Sequence, residues 1–383
     1  MIRIFSIILL LILFKAEAQT SVLNMADSLY TNGNYSKAIE RYKTYNNKNE
    51  VYDKIAKAYR AIGNYDEALK NYELSIKANA EDALLKFEYA RLLSKTKKYK
   101  TATKVFNDLV YIDDKNPNYH YELGLVLEKL KDSTAIDRFR SAYELDQTHQ
   151  KAIYRIAKYY LKYKKYDLVD TYVDKGLETY QNNTELINLK AQNFYKKQDY
   201  HNAILWFKKL IDLGESSQYI YEKLSLSYSL VYDYEKAIEY REIILKFNPL
   251  DATSIYAIGT YYEHLNNFET AEKYISKAIF LLDKPLDAEY AKLATVLNHL
   301  KRPKEAIATL KKAIRKSPEN QKIHFHLAVT LENYYADYDA KIKVYEDLNK
   351  KFPNSKMKEF VNHRITELKK ERFLKVNKEE DEK

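Results

Sequence analysis

Cysteine is absent from this sequence of 383 residues. Its absence excludes disulfides, thiolate metal sites and thiol nucleophiles, and also the lipidated cysteine that a bacterial lipoprotein signal requires. Glycine and proline are scarce, at six residues each. A β-sandwich or a glycine-rich α/β enzyme needs many more turn residues, so the scarcity points to helices joined by short loops. No glycines cluster into a phosphate-cradling pattern, which excludes a nucleotide site of that kind. Long apolar runs are missing as well, apart from one near the start. No later segment is apolar enough over enough residues to cross a bilayer.

That one run reads as a targeting segment. Arg3 gives a basic start, residues 4–14 are apolar, and Ala16-Glu17-Ala18 is a small-x-small cleavage site. Residues 1–18 are therefore expected to be a signal peptide, with the mature chain beginning at Gln19 and exported to the periplasm or the medium. The full chain has a formal charge of +10, and losing Arg3, Lys15 and Glu17 leaves +9. Charge of this sign suits acidic partners. Export argues against nucleic acid as that partner.

What is abundant is a repeated pattern. Between Asn49 and Asp82, Tyr52, Ile55, Ala56 and Tyr59 fall at i, i+3, i+4 and i+7, one face of a helix. Gly63-Asn64 interrupts it, and Tyr65, Ala68, Tyr72, Ser75 and Ile76 form a second stripe. Two short amphipathic helices cannot bury both stripes alone, so they need stacked neighbours. Counting Asn49 as position 1, the unit is large at 4, small at 8, aromatic at 11, Gly at 15, aromatic at 17, Ala at 20 and aromatic at 24. It resembles the tetratricopeptide repeat (TPR), whose period is 34 residues.

Position 20 recurs at Ala38, Ala68, Ala102, Ala135, Val169, Ala203, Ala237, Ala271, Ala306 and Ala340, mostly in steps of 33 to 35. Small residues are needed where the two helices of a hairpin approach most closely. Pro117, Pro249, Pro285, Pro318 and Pro353 fall between hairpins, where proline ends a helix. The resemblance implies an all-α fold, an α-solenoid wound as a right-handed superhelix of about ten TPR hairpins. Residues 19–353 are expected to hold the ten repeats. Residues 354–374 are expected to form a capping helix with an apolar stripe of Met357, Phe360, Val361, Ile365 and Leu368. The charged residues 375–383 are expected to form a disordered tail.

No catalytic constellation stands out, and no cofactor or metal is expected. His264 and His299 both occupy position 13 of consecutive repeats, but two histidines without a carboxylate partner make an incomplete site. Tyrosine is unusually frequent, at 38 against 14 phenylalanines. Fifteen tyrosines sit at core positions 4, 11, 17 and 24, where the ring packs and the hydroxyl reaches water or backbone.

In TPR arrays the first helices line a concave groove, and the resemblance implies that positions 2, 5, 9 and 12 face a bound partner. In repeats three to five these and adjoining positions carry Phe87, Arg91, Tyr121, Leu125, Lys151, Tyr154, Arg155 and Lys158. Aromatics rimmed by cations suit a peptide with acidic segments. One TPR subclass clamps a C-terminal carboxylate. Lys151 and Arg155 match part of that clamp, but Glu122 and Phe87 replace its Asn and Lys, so the clamp is incomplete. The expectation is a non-enzymatic protein-interaction scaffold in the cell envelope. The alternative is a regulatory or substrate-recruiting arm for an enzyme on a separate chain.

Overall fold

A computed structural model describes residues 21–282 and 287–381. The expected signal peptide, Gln19, Pro285 and the last two residues lie outside the described residues. Every regular element among the described residues is helical.

The chain divides into two compact units, residues 1–190 and 191–383. The first holds five hairpins: α1 (residues 21–31) with α2 (Tyr35–Thr44), α3 (Tyr52–Ala61) with α4 (Tyr65–Ala78), α5 (Ala83–Lys95) with α6 (Tyr99–Ile112), α7 (Pro117–Lys129) with α8 (Ala135–Leu145), and α9 (Gln150–Lys162) with α10 (Tyr166–Thr179). Helix α11 (Thr184–Lys196) carries the boundary and pairs in sequence with α12 (Tyr200–Asp212). The second unit continues with α13 (Gln218–Leu230) and α14 (Tyr234–Phe247), α15 (Ala252–His264) and α16 (Phe268–Leu281), and α17 (Asp287–His299) and α18 (Pro303–Lys316). It ends with α19 (Gln321–Tyr334), α20 (Tyr338–Lys351) and a lone α21 (Lys358–Asp381). This is an α-solenoid of helical hairpins.

One turn geometry joins most hairpins. The residue that closes each first helix is left-handed at Gly33, Gly63, Lys97, Lys131, Lys164, Gln198, Tyr232, Asn266 and Lys301. At Lys97 the amide bonds to the Ser94 carbonyl at 3.1 Å, and the next amide, of Lys98, bonds to the Leu93 carbonyl at 2.8 Å. This paired closure satisfies two carbonyls that the helix end would otherwise orphan. In four of these nine turns the next residue caps the second helix: Asn64, Asp199, Asp233 and Asn267 each accept from an amide three residues on. Seven of these left-handed positions are not glycine, so glycine at position 15 marks only the first two turns.

The small residues behave as expected. From Ala38 to Ala306, the position-20 residues are buried, including Val169. Gly124 and Gly259, at position 8, are required by close approach. A Cβ on Gly124 would stand 2.7 Å from the Phe139 ring, and one on Gly259 would meet the Ile275 side chain at 2.7 Å and its backbone nitrogen at 3.0 Å.

The last hairpin departs from the expected frame. Its turn has no left-handed residue, because Tyr335 is extended (φ −78°, ψ 137°). Asp337 caps α20, so Lys341 rather than Ala340 stands four residues beyond the cap, where Ala306 stands beyond Arg302. Ala340 is only half-buried, and Ile342, Tyr345 and Leu348 form the buried stripe. Helix α19 runs 14 residues where α17 runs 13, and this extra residue shifts the frame by one.

Helix α21 closes the second unit. Val361 and Leu368 pack with Ala328, Ile342, Tyr345 and Phe352, while Phe360 is left 58% exposed. The helix starts at Lys358 and continues to Asp381, so the backbone of the expected tail is helical up to that point. Lysine and glutamate are good helix formers and pair at i,i+4, so a run of charge extends a helix already nucleated by packing.

Candidate peptide-binding site

The expected groove residues lie on α5, α7 and α9, the first helices of hairpins three to five, all in the first unit. Phe87 is half-buried and packs edge-on to Phe106, with ring centroids 6.1 Å apart, and against Tyr119 at 5.5 Å. The Arg91 guanidinium lies 5.8 Å from the Phe87 ring and 3.5 Å from the Glu122 carboxylate. Tyr154 carries two cations: Arg155 at 5.9 Å and Lys158 at 5.4 Å from its ring. Lys158 also donates to the Tyr154 hydroxyl at 3.3 Å. Lys151 is exposed and Leu125 half-buried.

Tyr121 is not on an open wall. It is 9% exposed, tilted against Phe139 at 5.8 Å and against His149 at 5.1 Å. Burial pushes its hydroxyl pKa up, against the opposing pull of the nearby Arg155 guanidinium. The same burial lowers the His149 pKa, holding the ring toward its neutral form, and its Nδ1 accepts from the Ala152 amide at 3.1 Å to cap α9. The resemblance to TPR arrays implies that position 5, where Tyr121 stands, faces the groove. Its ring packs on Phe139, the ring that lies against Gly124.

Two acids missing from the expected site lie among its cations. Glu122 is half-buried, and burial raises its carboxyl pKa against the attraction of Arg91 and Lys151. Glu128 ion-pairs with Arg155 at 2.9 Å. Of the four cations, Arg91 and Arg155 therefore meet acids within the fold. The signal for Glu128 was its place at the end of α7, one repeat before Arg155. A second aromatic–cation group stands on α11 and α13, where Lys223 lies 4.3 Å from the Tyr195 ring and 5.7 Å from Tyr219.

The histidines at position 13 do not form a joint site. His264 stacks flat on Tyr234 at 4.7 Å and His299 on Phe268 at 4.4 Å, each with an interplanar angle of 4°. Each covers the aromatic that opens the second helix of the preceding hairpin. Among the described residues, no group of three or more His, Asp or Glu is placed to hold a metal, and no helix is long and apolar enough to cross a membrane.

Comparison with known proteins agrees with the repeat architecture. Two family models described as tetratricopeptide repeat match residues 59–123 and 256–321. The chain is a tetratricopeptide-repeat protein. It is 25% identical over 306 residues to a TPR repeat-containing protein of Methanocaldococcus jannaschii, covering 76% of this chain and 49% of that one. It is 24% identical over 198 residues to anaphase-promoting complex subunit 3 of Schizosaccharomyces pombe, covering 49% of this chain and 29% of the relative. The chain thus spans half or less of the length of these relatives. Among solved structures, a tetratricopeptide repeat protein from Parabacteroides merdae aligns with a TM-score of 0.46 at 14% identity, over 74% of this chain and 99% of that one.

Proposed function

We propose that this chain is an exported, non-enzymatic scaffold that holds a protein or peptide partner against α5, α7 and α9. A role as a protein-interaction scaffold is supported by the TPR family matches. A relative that is by name a subunit of a complex supports a role in assembly. The groove reading is carried by one observation: half-buried Phe87 and Tyr154 are each overlain by cations, with exposed Lys151 and Lys158 beside them. Phe87 also packs on the core ring of Phe106, and aromatic faces flanked by cations suit a segment that is apolar and acidic.

The test is capture of partners from a native envelope fraction by the wild type and by a Tyr154→Ala/Lys151→Glu variant. Loss of an aromatic anchor costs about 2 kcal/mol or more of binding at a hot spot, so capture falls more than tenfold while the melting curve is retained. Equal capture by both proteins removes the groove from the reading. Export is tested separately by intact mass, with Gln19 expected as the first residue of protein recovered from the envelope. Retention of residues 1–18 overturns it.

A further inference from the structure

The fourth hairpin lacks the ring that opens the second helix of its neighbours. Tyr65, Tyr99 and Tyr166 begin α4, α6 and α10. Between left-handed Lys131 and the first residue of α8, Ala135, stand Asp132, Ser133 and Thr134, where a single residue separates Lys97 from Tyr99 and Lys164 from Tyr166, so α8 starts late and Ser133 takes the place of the ring. The Asp132 carboxylate accepts from the Thr134 amide at 2.9 Å and from its hydroxyl at 2.7 Å, closing a polar turn. Helix α8 has 11 residues, whereas α6 and α10 have 14.

A cleft of about 690 Å³ opens at this turn, before the shortened α8, toward the C-terminal half of α9. Ala135, Ile136 and Phe139 give it an apolar floor, and Tyr159 and Tyr163 line it from α9. Those two rings pack 4.6 Å apart, and Tyr163 is 53% exposed. Lys131, Arg155, Lys158 and Lys162 stand around the cleft, with the Lys162 ammonium 5.5 Å from the Tyr163 ring. Of the two acids there, Glu128 is taken by Arg155 and Asp132 by its own turn. The lysines therefore set the sign of the rim. The volume lies within the range that accommodates a whole side chain or small ligand.

We propose that this cleft is a binding site for an acidic peptide segment that inserts one apolar side chain onto Ile136 and Phe139. Carboxylates on either side of that residue meet Lys131, Lys158 and Lys162. The site rests on the reading of the chain as a protein-binding scaffold and says what chemistry it selects. It lies at the turn end of the hairpin, displaced from the row of Phe87 and Arg91, and shares only Arg155 and Lys158 with the expected groove.

The probe is a fluorescein-labelled hexapeptide with one leucine flanked by aspartates and glutamates, titrated by fluorescence polarisation. Two controls replace the leucine by serine or all the acids by lysine. The full-length wild type is expected to bind the probe at least tenfold more tightly than either control. Ser133→Tyr, which puts a ring back at an exposed position of the turn, is expected to weaken binding at least tenfold. Lys131→Glu/Lys162→Glu, also at exposed positions, is expected to do the same. Equal binding of probe and controls, or binding unaffected by Ser133→Tyr with an unchanged melting curve, overturns the proposal. If Tyr154→Ala/Lys151→Glu abolishes probe binding while Ser133→Tyr does not, the groove reading stands and the cleft inference falls. If probe binding behaves as expected but envelope capture ignores the groove variant, the cleft stands and the groove reading falls.

Discussion

The abundance of tyrosine over phenylalanine has a physical reason that lies in the hydroxyl. Tyr42 donates to Asp27 at 2.6 Å, Tyr72 to Glu88 at 3.0 Å, Tyr89 to Glu73 at 2.6 Å and Tyr345 to Glu332 at 2.6 Å. Each bond joins two different helices, so the ring fills the interface while its tip satisfies a partly buried carboxylate. Tyr121 belongs with these packing rings. Changing it to Ala is expected to cost about 3–5 kcal/mol of stability, taking Tyr as similar to Phe, whereas Tyr154→Ala is expected to stay near the range of surface changes. Urea melts of the two variants decide the point, and equal destabilisation would put Tyr154 in the core as well. A second expectation concerns the left-handed turns. A residue with a Cβ loses roughly 1–2 kcal/mol there, and glycine returns part of that through unfolded-chain entropy. Lys97→Gly is therefore expected to stabilise by up to about 1 kcal/mol, and Lys97→Ala to leave stability nearly unchanged, in the same measurement.

Two contacts between elements decide how hairpins close. At Gly259 the two helices of a hairpin meet backbone against side chain, with no flexible group to yield. Gly259→Ala removes a glycine from a helix, a gain of roughly 0.5–1 kcal/mol, but overpacking of such a contact costs about 1–3 kcal/mol. The expected result is a net loss, read as an earlier melt. The other contact docks α21. Arg364 reaches Glu332 at 2.6 Å and Glu371 at 3.0 Å, while Glu332 also accepts from Tyr345. Burial pushes the Glu332 carboxyl pKa up, but the Arg364 and Tyr345 hydrogen bonds outweigh it and hold it below the ordinary value of 4.5. A carboxyl with a depressed folded-state pKa contributes fully above its unfolded value and loses that contribution as pH falls through the folded one. The docking of α21 is therefore expected to be complete near neutrality and to weaken below about pH 4.5. Glu332→Gln is expected to reproduce that loss at pH 7, by about 1–3 kcal/mol. Hydrogen exchange of the α21 amides measures both, and exchange that is independent of pH and of the substitution would contradict the account.

At the scale of the molecule, each hairpin buries its stripe only against its neighbours, so stability is a sum of local terms. Unfolding is expected to depart from two-state behaviour, with a calorimetric enthalpy larger than the van't Hoff enthalpy. The short α2 and α8 and the irregular last turn are places where the ladder of repeats departs from regularity. A single transition with equal enthalpies would contradict this.

The all-helical fold and the hairpin frame were legible in the sequence because small residues at fixed spacing report the closest approach of two helices. That constraint is local, and Ala38 through Ala306 obey it. Local too is the stripe that puts Val361 and Leu368 of α21 against the last hairpin. The tertiary structure alone decided the rest. The frame shift to Lys341 depends on the extra residue in α19, and seven left-handed residues without glycine are tolerated because two amide–carbonyl bonds close each turn. Whether Tyr121 faces a groove or the core depends on Phe139 of the next helix, which lies against Gly124 on Tyr121's own helix. Which cations meet acids depends on pairs such as Glu128 and Arg155, 27 residues apart. The cleft at Ser133 follows from one missing ring whose effect appears only when α9 is packed beside it. Spacing along a chain specifies which face a side chain leaves from, and packing against other elements determines what it meets.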